Sequence, residues 1–189
     1  MTTNDDARSR IVRATLHLVG TDGVAGVTNR RIAAHAKVSL GSITYHFPTQ
    51  ADLLRAALEH FVDEETERLA ELAGQYRSQA LSLTEAATLT EQVARDLAFT
   101  AERIAPFELY VQAGRDPELR QVAERCWRAY DTLAVSVLSA LGVRHPEALA
   151  PTIVATITGL QLRRLSTGTD TNLSESVLLL LHAEAVERP

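Results

Sequence analysis

The chain has 189 residues, 46% of them apolar and 23% charged, with a formal net charge of -5 and a single cysteine. That length buries enough surface for a stable core without metal or disulfide, and one cysteine excludes an intrachain bridge. The polar start MTTNDDARSR lacks the apolar stretch of a signal peptide or membrane anchor, so a cytoplasmic protein is expected. Charge is unevenly placed: residues 1–60 carry seven Lys or Arg against five Asp or Glu, whereas the remainder carries twelve against nineteen. A locally basic head can face a polyanion while an acidic body is kept off it.

Taken in chain order, the first predicted helix covers 7–21 and is closed by Asp22-Gly23. Thr28 is an N-cap candidate, followed at helical spacing by Ile32, Ala33 and Ala36, which give a short apolar face. Lys37 and Val38 form a turn. Ser39 then caps a second short helix in which Leu40, Ile43 and Phe47 turn inward. Its outward residues are Gly41, Ser42, Thr44, Tyr45 and His46, small or hydrogen-bonding side chains suited to close approach to groove edges and phosphates. No carboxylate lies between Asp22 and Asp52, a stretch holding Arg30, Arg31 and Lys37.

Beyond this helix-turn-helix, Thr49 to Asp52 reads as a capping box opening a helix over 49–73, with Gly74 as its stop. The acidic residues Asp63, Glu64, Glu65, Glu67 and Glu71 on it read as a solvated face. Further helices are predicted over 83–102, 103–112, 117–141, 146–165 and 173–187, with Pro117 and Pro146 in first turns and Gly114, Gly142 and Gly168 as stops. Pro106 is a place for a kink or restart near Arg103. No segment has strand alternation, so the chain is read as all-α, with about nine helices.

The middle helices hold Phe99, Phe107, Tyr110, Trp127 and Tyr130, with Arg103 close in sequence. An aromatic cluster with a few polar groups suits a small-molecule pocket, and at helical spacing it equally suits an ordinary core. Cys126 reads as a buried structural thiol. In the last two helices Ile153, Thr156, Ile157 and Leu160, with Val177, Leu180 and Leu181, make apolar surface wider than one stripe, as a four-helix interface between two copies would need. Catalytic and metal patterns are missing: there is no His-Glu-x-x-His, no zinc-type Cys pair, no nucleophile elbow and no phosphate-binding glycine loop, so neither an enzyme nor a cofactor is expected. The histidines are scattered and read as surface or satisfied polar residues, apart from His46 on the second short helix.

Residues 8–60, above all the run Val38-Ser39-Leu40-Gly41-Ser42-Ile43 through Tyr45-His46-Phe47 and the following Thr49-Gln50-Ala51-Asp52-Leu53-Leu54, resemble the DNA-binding domain of the TetR family of bacterial one-component regulators. The resemblance implies a DNA-binding head over 1–48 and a helical effector-binding and dimerisation body over 49–189. It implies a homodimer on a palindromic double-stranded operator, released by a small-molecule effector. Ser39, Leu40, Gly41, Ser42 and Tyr45 would then contact the groove, and Thr28, Arg30, Thr44, His46, Thr49 and Gln50 the phosphates. Phe99, Arg103, Phe107, Tyr110, Trp127 and Tyr130 would face the effector. Three positions depart from the family pattern: Lys37 where Gly is usual in the turn, Thr44 where an aromatic is common, and Gln50 where Lys is common. The competing reading is a helical small-molecule or lipid carrier whose head no longer binds DNA.

Overall fold

The computed structural model describes residues 3–76, 82, 85, 88, 101–168 and 173–186, and no strand occurs among them. Helices α1 (Thr3–Asp22), α2 (Asn29–Ala36), α3 (Leu40–His46), α4 (Gln50–Tyr76), α5 (Ala101–Ala113), α6 (Pro117–Ala140), α7 (Pro146–Thr167) and α8 (Leu173–Val186) follow one another, with a short 3-10 turn, Val24–Gly26, after α1. Most of the expected range 83–102 and the whole of Phe99 lie outside the described residues. At its start, Ser82 N and Oγ both donate to Glu85 Oε2, and Glu85 N donates back to Ser82 Oγ, a reciprocal cap of the kind that opens a helix.

Two compact units divide the chain. The first comprises Met1–Glu65 and Phe99–Cys126, the second Thr66–Ala98 and Trp127–Pro189. In the first, α1 packs against α2, α3 and α5, which is why apolar residues occur on more than one of its faces: Ile11, Val12, Leu16, Leu18 and Val19 are all buried. A buried hydroxyl there, that of Thr15, is satisfied by donating to the Ile11 carbonyl at 2.8 Å. Gly20 lies against the start of α5, where a Cβ would fall 1.7 Å from the Ala101 carbonyl oxygen. Ion pairs join α4 to α6, Arg125 with Asp63 at 2.8 Å and the half-buried Arg55 with Glu118.

In the second unit Leu138, Ala150, Ile153 and Val177 form a core flanked by Ile157 and Leu180, and a further cluster unites Leu69, Ala73 and Leu133 with Tyr130 against it. Asp116 Oδ1 accepts from the Glu118 and Leu119 amides at the start of α6, as a cap should. Pro146 occupies the first turn of α7, and Gly168 closes that helix in the left-handed conformation, φ 67°.

Three local expectations are corrected. Helix α4 runs through Gly74 to Tyr76, because the turn around it keeps helical backbone bonds and a glycine inside a helix costs only about 1 kcal/mol. Helix α5 continues unbroken across the expected boundary between 102 and 103 and contains Pro106, so the proline does not restart it. Glu65, taken for part of a solvated acidic face, is only 3% exposed. It falls four residues after Phe61 and four before Leu69, on the buried stripe of α4.

Candidate nucleic-acid interface

The reading head is assembled from short helices whose ends are fixed by side-chain caps. Thr28 has extended backbone and its hydroxyl oxygen accepts from the Arg31 amide at 3.4 Å, so α2 starts where expected. Its other end is closed by Lys37 in the left-handed conformation, φ 54°, the only non-glycine residue with positive φ among the described residues. Such a backbone costs a lysine on the order of 1 kcal/mol. Part of that cost is offset from α1, where Arg10 Nη1 donates to the Ala36 and Lys37 carbonyls at 3.1 and 3.4 Å. The chain then reverses, and Ser39 Oγ accepts from the Ser42 amide at 3.1 Å to open α3.

Ile32, Ala36, Ile43 and Phe47 pin α2 and α3 to the core, and Arg8 lies over the Phe47 ring at 5.3 Å. Leu40 does not turn inward as its spacing suggested. It is 53% exposed, because a residue at the first turn of so short a helix projects past the core that Ile43 already fills. With Gly41, Thr44 and Tyr45, the last 74% exposed, it forms one outward face of α3. A Cβ at Gly41 would meet nothing closer than Ser39 Oγ at 3.8 Å, so the protein's own packing does not require glycine there. Ser42 is half-buried. His46 is also half-buried, with its ring edge-on to Tyr45 and its Nε2 buried without a hydrogen-bond partner.

Beside this face stand two helix N-termini. Thr49 and Asp52 form the predicted capping box: Asp52 Oδ2 accepts from Thr49 N and Oγ1, and Asp52 N donates to Thr49 Oγ1 at 3.1 Å. The Thr49 hydroxyl, then the Thr49 amide and the Arg55 guanidinium, hold the Asp52 carboxyl below the usual carboxylate range. Gln50 Nε2 reaches back to the Val27 carbonyl at 3.4 Å, which brings the start of α4 alongside the start of α2. Paired N-termini present free amides and the positive ends of two helix dipoles to one side, an arrangement suited to phosphate. Thr28, Arg30, Thr49 and Gln50 are all exposed at this edge. Arg31 is engaged differently, pairing with Asp22 at 2.5 Å and donating to the Gly26 carbonyl at 3.0 Å.

Residues 11–57 match the family model described as bacterial regulatory proteins, tetR family, and residues 81–186 match that described as tetracyclin repressor-like, C-terminal domain. The chain belongs to the TetR family. That family is one of bacterial regulatory proteins, and the relatives the chain matches are transcriptional regulators, not enzymes. The regulator CymR of Pseudomonas putida is 28% identical over 123 residues, 64% of this chain, and the match spans 57% of CymR's own length. The multidrug binding protein EbrR in complex with ethidium superposes with a TM-score of 0.69 at 30% identity, covering 93% of this chain and 98% of that one. A TetR-family member from Streptomyces coelicolor superposes at 0.66 with 31% identity, covering 93% and 97%.

Of the expected effector residues, Phe107 and Tyr110 stand half-buried on α5, and Trp127 and Tyr130 half-buried on α6 with their rings 6.2 Å apart. The backbone of Arg103 is helical, and Phe99 lies outside the described residues. Tyr130 packs on the core of the second unit, and the Tyr110 hydroxyl donates to Cys126 Sγ at 3.3 Å. Among the expected interface residues, Ile153 and Val177 are buried in the chain's own core, so they are already covered before any second copy arrives. Among the described residues, the large apolar side chains left outside on α7 and α8 are Leu162, 51% exposed, and Leu179, 67% exposed. Neither stood out in the sequence, because both sit within apolar runs whose inner and outer members look alike.

Burial pushes the Cys126 thiol from an ordinary 9.0 up to about 11. Because the folded chain then holds its proton more tightly than the unfolded chain, this contribution to stability is complete below pH 9 and is lost as pH rises toward 11. A Cys126→Ala variant is expected to lose less stability between those two values than the parent, as followed by urea unfolding at stepped pH. The folded parent should also resist thiol reagents at pH 8; rapid labelling there would contradict the burial.

Proposed function

We propose that the chain is a ligand-responsive repressor that binds a palindromic operator as a homodimer in the cytoplasm. Residues 1–48 act as the reading head and 49–189 as the effector-binding and dimerisation body. The observation that carries the reading is the exposed face Leu40, Gly41, Thr44 and Tyr45, flanked by the paired starts of α2 and α4. Ser39, Leu40, Gly41, Ser42 and Tyr45 meet the major groove. Thr28, Arg30, Thr44 and Thr49 meet phosphates, with Gln50 held to Val27 and His46 turned partly into the head as secondary members of that set. Two heads occupy half-sites one helical turn apart, about 34–36 Å. Selection of bound duplexes from a random pool tests this directly. An enriched palindrome is the expected result, and no enrichment would remove the reading.

The dimer contact is assigned to the outer stripe of α7, where Thr152, Ala155, Gly159 and Leu162 recur three and four residues apart and are exposed, together with Leu179 of α8. Small residues let two helices approach closely, and the leucines supply the apolar area. Thr156, Ile157, Leu160 and Leu180 support that surface, and the side chain of Leu181 lies outside the described residues. A Leu179→Asp variant is expected to sediment as a folded monomer where the parent sediments as a dimer. An unchanged dimer would place the interface elsewhere.

The effector is an aromatic small molecule received by Phe99, Arg103, Phe107, Tyr110, Trp127 and Tyr130. Binding of ethidium and proflavin by the EbrR relative supports this class. To lower operator affinity tenfold, the effector must favour the DNA-incompetent arrangement by about 1.4 kcal/mol.

A further inference from the structure

A groove of about 390 Å³ opens in the first unit between α1, the end of α2 and the middle of α4. We propose that it binds a small organic carboxylate with a flat apolar body and that occupancy acts on the turn between α2 and α3. Three permanent cations line it, Arg10, Arg13 and Lys37, against a single carboxylate, Glu64, which His60 already faces at 3.5 Å. A net positive groove selects an anion. The rest of the lining supplies flat and apolar surface: Phe61 on one wall, and on the other the imidazoles of His17 and His35, stacked with centroids 4.5 Å apart and planes at 25°. The volume falls within the range of about 300–1,000 Å³ that small-molecule pockets occupy.

DNA is not the natural occupant. Phe61 lies eleven residues beyond Gln50, and at 1.5 Å per residue that is about 16 Å up α4 from the phosphate-facing end. The histidines do not form a metal site either, since no group of three or more His, Cys, Asp or Glu residues among those described is placed to hold an ion.

The regulatory half rests on the operator-binding reading. Arg10 donates to the last carbonyl of α2 and to that of Lys37, the residue held in the left-handed conformation. A carboxylate in the groove offers Arg10 a charge-assisted bond stronger than those to the two neutral carbonyls. Drawing Arg10 away loosens the turn that sets Ser39, and with it the angle at which α3 leaves.

The test uses the full chain without DNA, titrated with benzoate and salicylate, and with inorganic phosphate as comparator, by calorimetry and by NMR of the His17 and His35 rings. Saturable binding of the aryl carboxylates is expected, at least tenfold tighter than phosphate and weakened at least tenfold in Arg13→Gln, an exposed position whose exchange leaves the core untouched. Equal binding of phosphate, unchanged binding in Arg13→Gln, or no saturation at millimolar concentration would each overturn the proposal. Displacement of the carboxylate by a non-specific duplex would assign the groove to DNA and overturn it too. Because binding is read without operator, its loss is distinguishable from failure of the operator reading; with a selected operator, salicylate should lower affinity in the parent and not in Arg13→Gln.

Discussion

Replacing Tyr45 by alanine is expected to weaken operator binding by tenfold or more while leaving unfolding unchanged. Tyr45 is 74% exposed, and its ring meets that of His46 nearly at a right angle, so little of the head's stability depends on it. Surface substitutions of this kind stay within about 0.5 kcal/mol of the parent. On DNA the same side chain lies at the centre of the exposed face of α3, where a lost base-edge or apolar contact costs about 1–3 kcal/mol. Fluorescence anisotropy on a selected operator, paired with urea unfolding of the same sample, separates the two effects. An unaltered affinity would mean that α3 is not the reading helix.

The second large effect is expected at Gly20. A methyl group there would fall 1.7 Å from the Ala101 carbonyl oxygen and 2.4 Å from its carbonyl carbon. Exchange of glycine for alanine inside a helix ordinarily stabilises it by about 1 kcal/mol. Here the obstacle is a backbone carbonyl at the first residue of α5, which cannot rotate aside as a side chain would, so the start of that helix must move. Overpacking of this severity costs about 1–3 kcal/mol or more and outweighs the propensity gain. Gly20→Ala should therefore unfold at lower urea concentration than the parent, and Gly20→Leu should not fold. A stabilised alanine variant would show that α1 and α5 do not approach so closely.

What the sequence disclosed, and what it withheld, follows the range of the interactions involved. The caps at Thr28, Ser39 and Thr49 act within three residues, so their spacing alone located the starts of three helices. Helical periodicity likewise placed Ile32, Ile43 and Phe47 inside. Periodicity failed where a helix is too short or too apolar to have two distinct faces. Leu40 shares the spacing of Ile43 and projects outward, and Leu179 sits in a run of leucines of which only the structure separates the exposed member. Glu65 went astray for the opposite reason, since a charged run masked the one carboxylate on the buried stripe. Contacts between distant segments, such as Gly20 with Ala101 or the rings of His17 and His35, left no local mark at all.

The pairing of Arg31 with Asp22 changes how the basic stretch should be counted. Asp22 is kept ionised by the Thr21 hydroxyl first and by Arg31 second, both of which hold its carboxyl below the usual range. Arg31 thus already has an anion of its own and a carbonyl at Gly26. Counterions leave DNA in proportion to the phosphates a protein neutralises, roughly 0.9 per contact. A head whose Arg31 is committed internally releases about one fewer than the cations between Asp22 and Asp52 would suggest. Asp22→Asn should free it, and the logarithm of operator affinity would then fall more steeply with the logarithm of salt concentration.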